Sequence, residues 1–214
     1  ERVQTTATLS NYITGKHILV TNNAPIILSK EIKKVLEHLG NEVIETTTLK
    51  DLPSEITDIY LLQGLSTIDH PTALVKDIGQ RELSVFNAIK TLLASSYREK
   101  ELNITAFTHN TQKVLSTDQV QVAGSGIVGL IGSLAKEQPL WNIRMIDIES
   151  ASMQAKDIEK ILQASSNKEG LVTAYRNGYH YHKSAYPIAL EPRKTSKLKV
   201  RGTYVILGGA GGIG

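Results

Sequence analysis

Short buried-strand patterns alternate with amphipathic helix patterns as far as residue 165. A parallel sheet covered by helices is the architecture that uses both periods in that order. His17–Thr21, Glu42–Glu45, Asp58–Gln63, Leu102–Thr108 and Asn142–Ile148 read as strands. Between them, Ser29–Leu39 reads as a helix capped by Ser29, with Ile32, Val35, Leu36 and Leu39 at helical spacing. Gly40 stands where a left-handed C-cap belongs. Residues 72–98 place Leu83, Phe86, Ile89, Leu92 and Leu93 on one helical face, and further helices are expected over residues 117–137 and 152–165. The apolar residues are mainly Ile, Leu, Val and Ala, with aromatics at 5%, as a helix-covered parallel sheet requires. The fold class is α/β.

The pattern changes near the end. Leu171–Arg176 and Tyr179–Lys183 flank Asn177-Gly178, a two-residue hairpin turn whose central positions need positive φ. Residues 187–202 hold Pro187, Pro192 and several Lys and Arg, and read as a solvated linker rather than a binding patch. The net charge is only +3, and no basic block is interleaved with aromatics, so a nucleic-acid partner is not expected. No apolar run has the length of a membrane span, and the N-terminus lacks the layout of a signal peptide. With no cysteine there is no disulfide framework and no thiolate metal site, which fits a reducing compartment; the expected location is cytoplasmic.

Two glycine-rich segments match a dinucleotide fingerprint. Thr203–Leu207 reads as a strand, and Gly208-Gly-Ala-Gly-Gly-Ile-Gly214 follows at once. Strand, tight glycine turn and helix N-terminus in that order bring backbone N–H groups and a positive dipole end up to a pyrophosphate. Gly208, Gly209, Gly211, Gly212, Ile213 and Gly214 are therefore the candidate cofactor-binding residues, in a domain of which this chain holds only the first strand and loop. The second match is Gly124-Ser-Gly126-Ile-Val-Gly129, with Asp147 eighteen residues on, about where a ribose-binding acid sits. The segment before it, residues 116–122, is polar, with Ser116 and Asp118 as helix-cap residues. It reads instead as one helix whose small faces at Gly124, Gly126, Gly129 and Gly132 press against a neighbour.

Tyr12…Lys16 and Tyr179…Lys183 match the Tyr-x-x-x-Lys pair in which a lysine lowers the tyrosine pKa for proton donation. That chemistry needs both side chains one helical turn apart. Tyr12 lies in an unpatterned segment, and on a strand four residues span about 13 Å, so both matches are coincidences. His180 and His182 share one strand face, but no third ligand is near and they read as surface histidines. No GxSxG, HExxH, P-loop or paired zinc-ligand spacing is present, and no catalytic residue is assigned.

The stretch Gly129-Leu-Ile-Gly-Ser-Leu-Ala-Lys-Glu-Gln-Pro-Leu-Trp-Asn-Ile-Arg-Met-Ile-Asp-Ile148 resembles a helix–strand signature in the first half of polyketide synthase ketoreductase domains. Ala174-Tyr-Arg-x-Gly178-x-x-Tyr181 resembles the hairpin that follows it, and Gly208–Gly214 resembles the start of the second half. These segments occur in the family's order from about residue 100 onward. The Ala-Lys-Glu-Gln-Pro style is similar to bacterial trans-acyltransferase synthases. Leu207 stands where many short-chain reductases have Thr, and Ile131-Gly132 replaces a Gly-Arg; the first leaves a pseudo-ketoreductase open.

The resemblance implies a truncated Rossmann-like fold, mainly parallel, with helices on both faces and a C-terminal β-hairpin. It divides the chain into a structural subdomain at 1–190, a linker at 191–202, and the first strand and loop of a catalytic subdomain at 203–214. It implies NADPH for the full ketoreductase and no cofactor for this chain. The implied partners are the catalytic subdomain, an acyl carrier protein and neighbouring synthase domains. The alternatives are a small reductase fragment using Gly124–Gly129, or a docking module at a split synthase module.

Overall fold

A computed structural model describes residues 2–3, 15–22, 24–66, 74–149, 153–162, 170–189 and 198–207. The chain divides into two compact units, residues 1–184 and 185–214.

Among the described residues, the first unit is built on a single eight-stranded sheet. Its strands are β1 (Arg2–Val3), β2 (Lys16–Val20), β3 (Glu42–Thr46), β4 (Ile56–Leu61), β5 (Leu102–His109), β6 (Trp141–Ile148), β7 (Val172–Arg176) and β8 (Tyr179–His182). Spatially they run β1-β8-β7-β6-β5-β4-β2-β3, with β3 through β7 parallel and the β7–β8–β1 edge antiparallel. The hairpin turns at Asn177 (φ 49°) and Gly178 (φ 80°), as the Asn-Gly pair requires. It is not the outermost strand pair, because Arg2 and Val3 return to pair with Tyr181 and His180.

Helices α1 (Ile26–His38), α2 (Leu74–Leu93), α3 (Ser125–Glu137) and α4 (Ala155–Leu162) cover both faces. Alternate residues of the central strands feed two cores, as the pleat dictates. Ile18, Val20, Ile59, Leu61, Ile104 and Met145 meet α2 and α3. Leu19, Tyr60, Phe107, Ile146 and Ile148 meet α1 and α4. The β6–β7 step runs along the sheet opposite to the β2–β3 step, yet α4 lies on the same face as α1. The β6–α4–β7 crossover therefore has the opposite hand to β2–α1–β3, and also to the α2 and α3 crossovers, where one hand is the strong rule.

Several sequence expectations shift. α1 begins at Ile26 behind Pro25, a residue favoured at helix starts by its fixed φ, so Ser29 is not a cap. Ser29 is buried inside the first turn, and its hydroxyl donates to the Ile26 carbonyl. Gly40 does adopt positive φ (89°) behind the helix. On α2 the buried stripe is Val85, Ala88, Ile89 and Leu92, whereas Leu83 and Phe86 are 58% and 46% exposed. At about 100° per residue, Phe86 lies about 110° from the centre of that stripe and Leu83 nearly opposite it, where the expectation placed both on it. The helix expected from residue 117 starts only at Ser125, because Gly124 turns the chain at φ 90° immediately before it.

In the second unit the described residues 185–189 and 198–207 form no helix or strand. Thr203–Leu207, expected as a strand, is not in a sheet, and Val205 and Leu207 are 86% and 94% exposed. A strand is held by ladder partners, and this segment forms a ladder with no described residue. Gly208–Gly214 lies outside the described residues.

Candidate functional site

In a doubly wound sheet, ligands bind outside the carboxyl ends of the strands where the strand order reverses. Here that point lies between β2 and β4, since the chain leaves β2 toward β3 and then returns past it to β4. The first βα connection is short and contains no glycine. The Thr21 amide donates to the Thr46 carbonyl at 2.9 Å, the Ala24 amide donates to the Thr21 carbonyl at 2.9 Å, and α1 begins at Ile26. The glycine at the end of β4 serves packing: a Cβ on Gly64 would stand 2.2 Å from the Phe107 carbonyl oxygen.

The Gly124–Gly129 match sits at a helix start, but residues 110–124 separate it from β5 rather than a tight strand-to-helix turn. The α3 N-terminus already holds an anion of the chain's own. Glu82 on α2 reaches across, and its Oε1 accepts the Gly124 amide at 2.8 Å. A carboxylate satisfies a free amide there and sits favourably at the positive dipole end. A Cβ on Gly126 would stand 2.9 Å from Glu82 Cγ, so this glycine clears the path of that side chain. Gly124 and Gly126 thus accommodate a glutamate in the position a fingerprint gives to pyrophosphate. The expected close helix contact holds at Gly132, which meets Gly170: a Cβ on Gly170 would lie 2.8 Å from Gly132 Cα. It does not hold at Gly129, which faces open space.

Asp147 is not free for a ribose. It is fully buried at the end of β6, and its Oδ1 accepts from Thr108 Oγ1, the Thr111 amide and Thr111 Oγ1, each at 2.8 Å. Its Oδ2 accepts the Gln112 amide at 3.2 Å and Arg176 Nη2 at 2.6 Å. The buried Arg176 guanidinium also donates to the carbonyls of Asp147, Tyr175 and Gln112, and its Nε donates to Asp118 Oδ2 at 3.2 Å. Asp118 in turn accepts the amides of Val114 and Leu115. It closes a loop turn, where the sequence suggested a helix cap. Burial raises the Asp118 carboxyl, but those amides and Arg176 outweigh it and hold the group below its ordinary range. Asp118–Arg176–Asp147 is a buried charge network that ties the loop after β5 to β6 and β7. Sequence reasoning missed Glu82 and Arg176 because both act across large separations in the chain.

The remaining candidates separate. Tyr179 opens β8 and is 43% exposed, and Lys183 follows the strand's last residue; Tyr12 lies outside the described residues, and Lys16 pairs with Glu42 at 3.4 Å. His180 is not a surface residue. It is 6% exposed, packs edge-on to Tyr175 with ring centroids 5.2 Å apart, and burial holds its pKa below the usual value. Its face of the hairpin turns toward α4, where Tyr175 donates to Asp157 at 3.0 Å. No group of three metal-ligating side chains occurs among the described residues.

No protein-family model matches this chain. It is 35% identical over 135 residues to polyketide synthase PksN of Bacillus subtilis (strain 168), covering 63% of this chain and 2% of that protein. It is 31% identical over 162 residues to PksM of the same organism, covering 72% of this chain and 4% of that protein. The chain thus spans a few per cent of the curated relatives it matches. In fold it is similar to a keto acid-selecting NRPS module with adenylation, ketoreductase and pseudo-Asub domains (TM-score 0.62, 16% identity, 79% of this chain, 16% of that one). It is also similar to the first ketoreductase of the tylosin PKS (TM-score 0.54, 19% identity, 78% of this chain, 38% of that one). In sequence the chain is similar to short segments of these polyketide synthases, and its fold is similar to that of polyketide synthase ketoreductase domains.

Proposed function

We propose that this chain is the non-catalytic structural subdomain of a polyketide synthase ketoreductase. It supports NADPH-dependent reduction of β-ketoacyl thioesters, carried on an acyl carrier protein, by the full domain. One observation carries this reading: the helix N-terminus that the internal fingerprint would offer to pyrophosphate is filled by the chain's own Glu82 carboxylate. Asp147, the acid the same fingerprint would offer to ribose, is neutralised by Arg176. The cofactor loop is then Gly208–Gly214, at the start of the catalytic half, and residues 1–190 act as its scaffold. Docking of the halves buries apolar surface on both, so each stabilises the other.

Titrating NADPH onto the chain alone tests the reading, and no saturable binding is expected. Micromolar binding abolished by Gly126→Val would instead establish a reductase using its own loop. A soluble, fully active catalytic half produced without residues 1–190 would overturn the scaffold role.

A further inference from the structure

The step from β3 to β4 is a parallel crossover made without a helix. Residues 47–55 pass over β2 as a loop, from which Leu49 and Leu52 reach the core shared with α2 and α3. Parallel crossovers ordinarily carry a helix that covers the sheet. On this face α2 and α3 cover the middle of the sheet, and among the described residues the layer position beside α2, toward β3, holds that loop alone. A groove of about 1440 Å³ lies there, between the loop, the end of β2 at Val20 and Asn22, and the flank of α2. A ten-residue helix, about 15 Å long and about 10 Å across, displaces about 1200 Å³.

The walls suit such an occupant. Val20 and Leu49 provide buried apolar floor, and the exposed Leu83 provides an apolar wall. Ser84, Asn87 and Thr91 form a polar stripe along α2, in which Ser84 accepts from Asn22 at 3.3 Å and Thr91 donates to the Asn87 carbonyl at 2.8 Å. Gln63, 1% exposed, also lines the groove, and its Oε1 accepts no hydrogen bond from a described residue. Among the described lining residues, Lys50 and Lys90 outnumber the one carboxylate, Asp51. The four α-helices among the described residues carry no net negative charge, since their Lys and Arg equal or exceed their Asp and Glu. A second copy is therefore poorly matched in charge.

We propose that this groove receives an acidic amphipathic helix of a partner protein, which completes the helix layer that the β3–β4 crossover leaves open. The proposal is independent of the scaffold reading above. The chain has no cysteine, so Asn87→Cys gives a single site for a fluorescent label on the groove wall. The probes are a 14-residue helical peptide with leucine at i, i+3, i+7 and i+10 and glutamate on its flanks, and the same peptide with lysine on its flanks. The glutamate peptide is expected to bind about tenfold or more tighter than the lysine peptide. Lys50→Glu with Lys90→Glu reverses that preference, and the exposed Leu83→Asp weakens both peptides about tenfold with an unchanged melting temperature. Failure of the glutamate peptide to bind, equal binding of both peptides, or insensitivity to these substitutions overturns the proposal. So does a concentration-dependent dimer abolished by Leu83→Asp, which would make a second copy the occupant.

Discussion

Arg176, two residues along β7 from the partner of Asp147 on β6, meets that aspartate at 2.6 Å with both side chains fully shielded from solvent. A buried ion pair is a weak net stabiliser compared with packed apolar groups, but removing one partner leaves the other charge stranded. Arg176→Met is therefore expected to destabilise the domain by about 3–5 kcal/mol in chemical denaturation. Hydrogen exchange at the Thr111 and Gln112 amides, which Asp147 accepts, should quicken in the same variant. An unchanged midpoint would show that the network does not hold the loop.

Glu82 caps a helix that belongs to another part of the chain. Glu82→Ala removes the acceptor of the Gly124 amide, and a loss of about 1 kcal/mol is expected, in the range of other N-cap removals. Gly124→Ala costs a similar amount by a different route, forcing an L side chain to φ 90°. Thermal melts of the two single variants and the double variant would show coupling between the sites, because they share one hydrogen bond.

Gly64 tolerates no side chain. A Cβ would stand 2.2 Å from a backbone oxygen of β5, which cannot swing aside as a side chain can. Gly64→Ala should cost about 3 kcal/mol or more, at the upper end of overpacking penalties. Gly129→Ala, which meets nothing within 4 Å, should be neutral or slightly stabilising in mid-helix. The pair separates a glycine required by packing from an incidental one.

His17, His109 and His180 all have pKa values held below the ordinary 6.5, chiefly by burial. The unfolded chain therefore binds protons more readily than the folded one. Stability from these groups is intact at neutral pH and declines as pH falls below about 6.5 toward the lowered folded values. Asp118 acts in a lower window: its contribution is present above the ordinary value of 3.8 and is lost as pH falls through its lowered folded value. Melting temperatures are expected to drop from pH 7.5 to pH 5.5, and His180→Phe should flatten part of that slope. A flat profile for the unsubstituted chain would contradict the burial argument.

The alternation of strand and helix periods was enough to establish the α/β class, and the Asn-Gly turn to place the hairpin, because both are local. Element ends and faces were less legible. Ser29 has the chemistry of a cap, yet Pro25 starts the helix; Leu83 and Phe86 have the hydrophobicity of core residues, yet they lie off the stripe that meets the sheet. A segment such as Thr203–Leu207 has strand propensity, but propensity without a ladder partner does not make a strand.

The meaning of the two polar landmarks was decided only in three dimensions. In sequence, Gly124–Gly129 with Asp147 is spaced as a dinucleotide site. In the fold, Glu82 arrives from a helix 42 residues away and Arg176 from a strand 29 residues away, and each satisfies the group a ligand would have used. Periodicity reports which face of an element is buried. It carries no information about which distant charge will reach a helix end or a buried carboxylate, since that depends on the order in which the strands assemble.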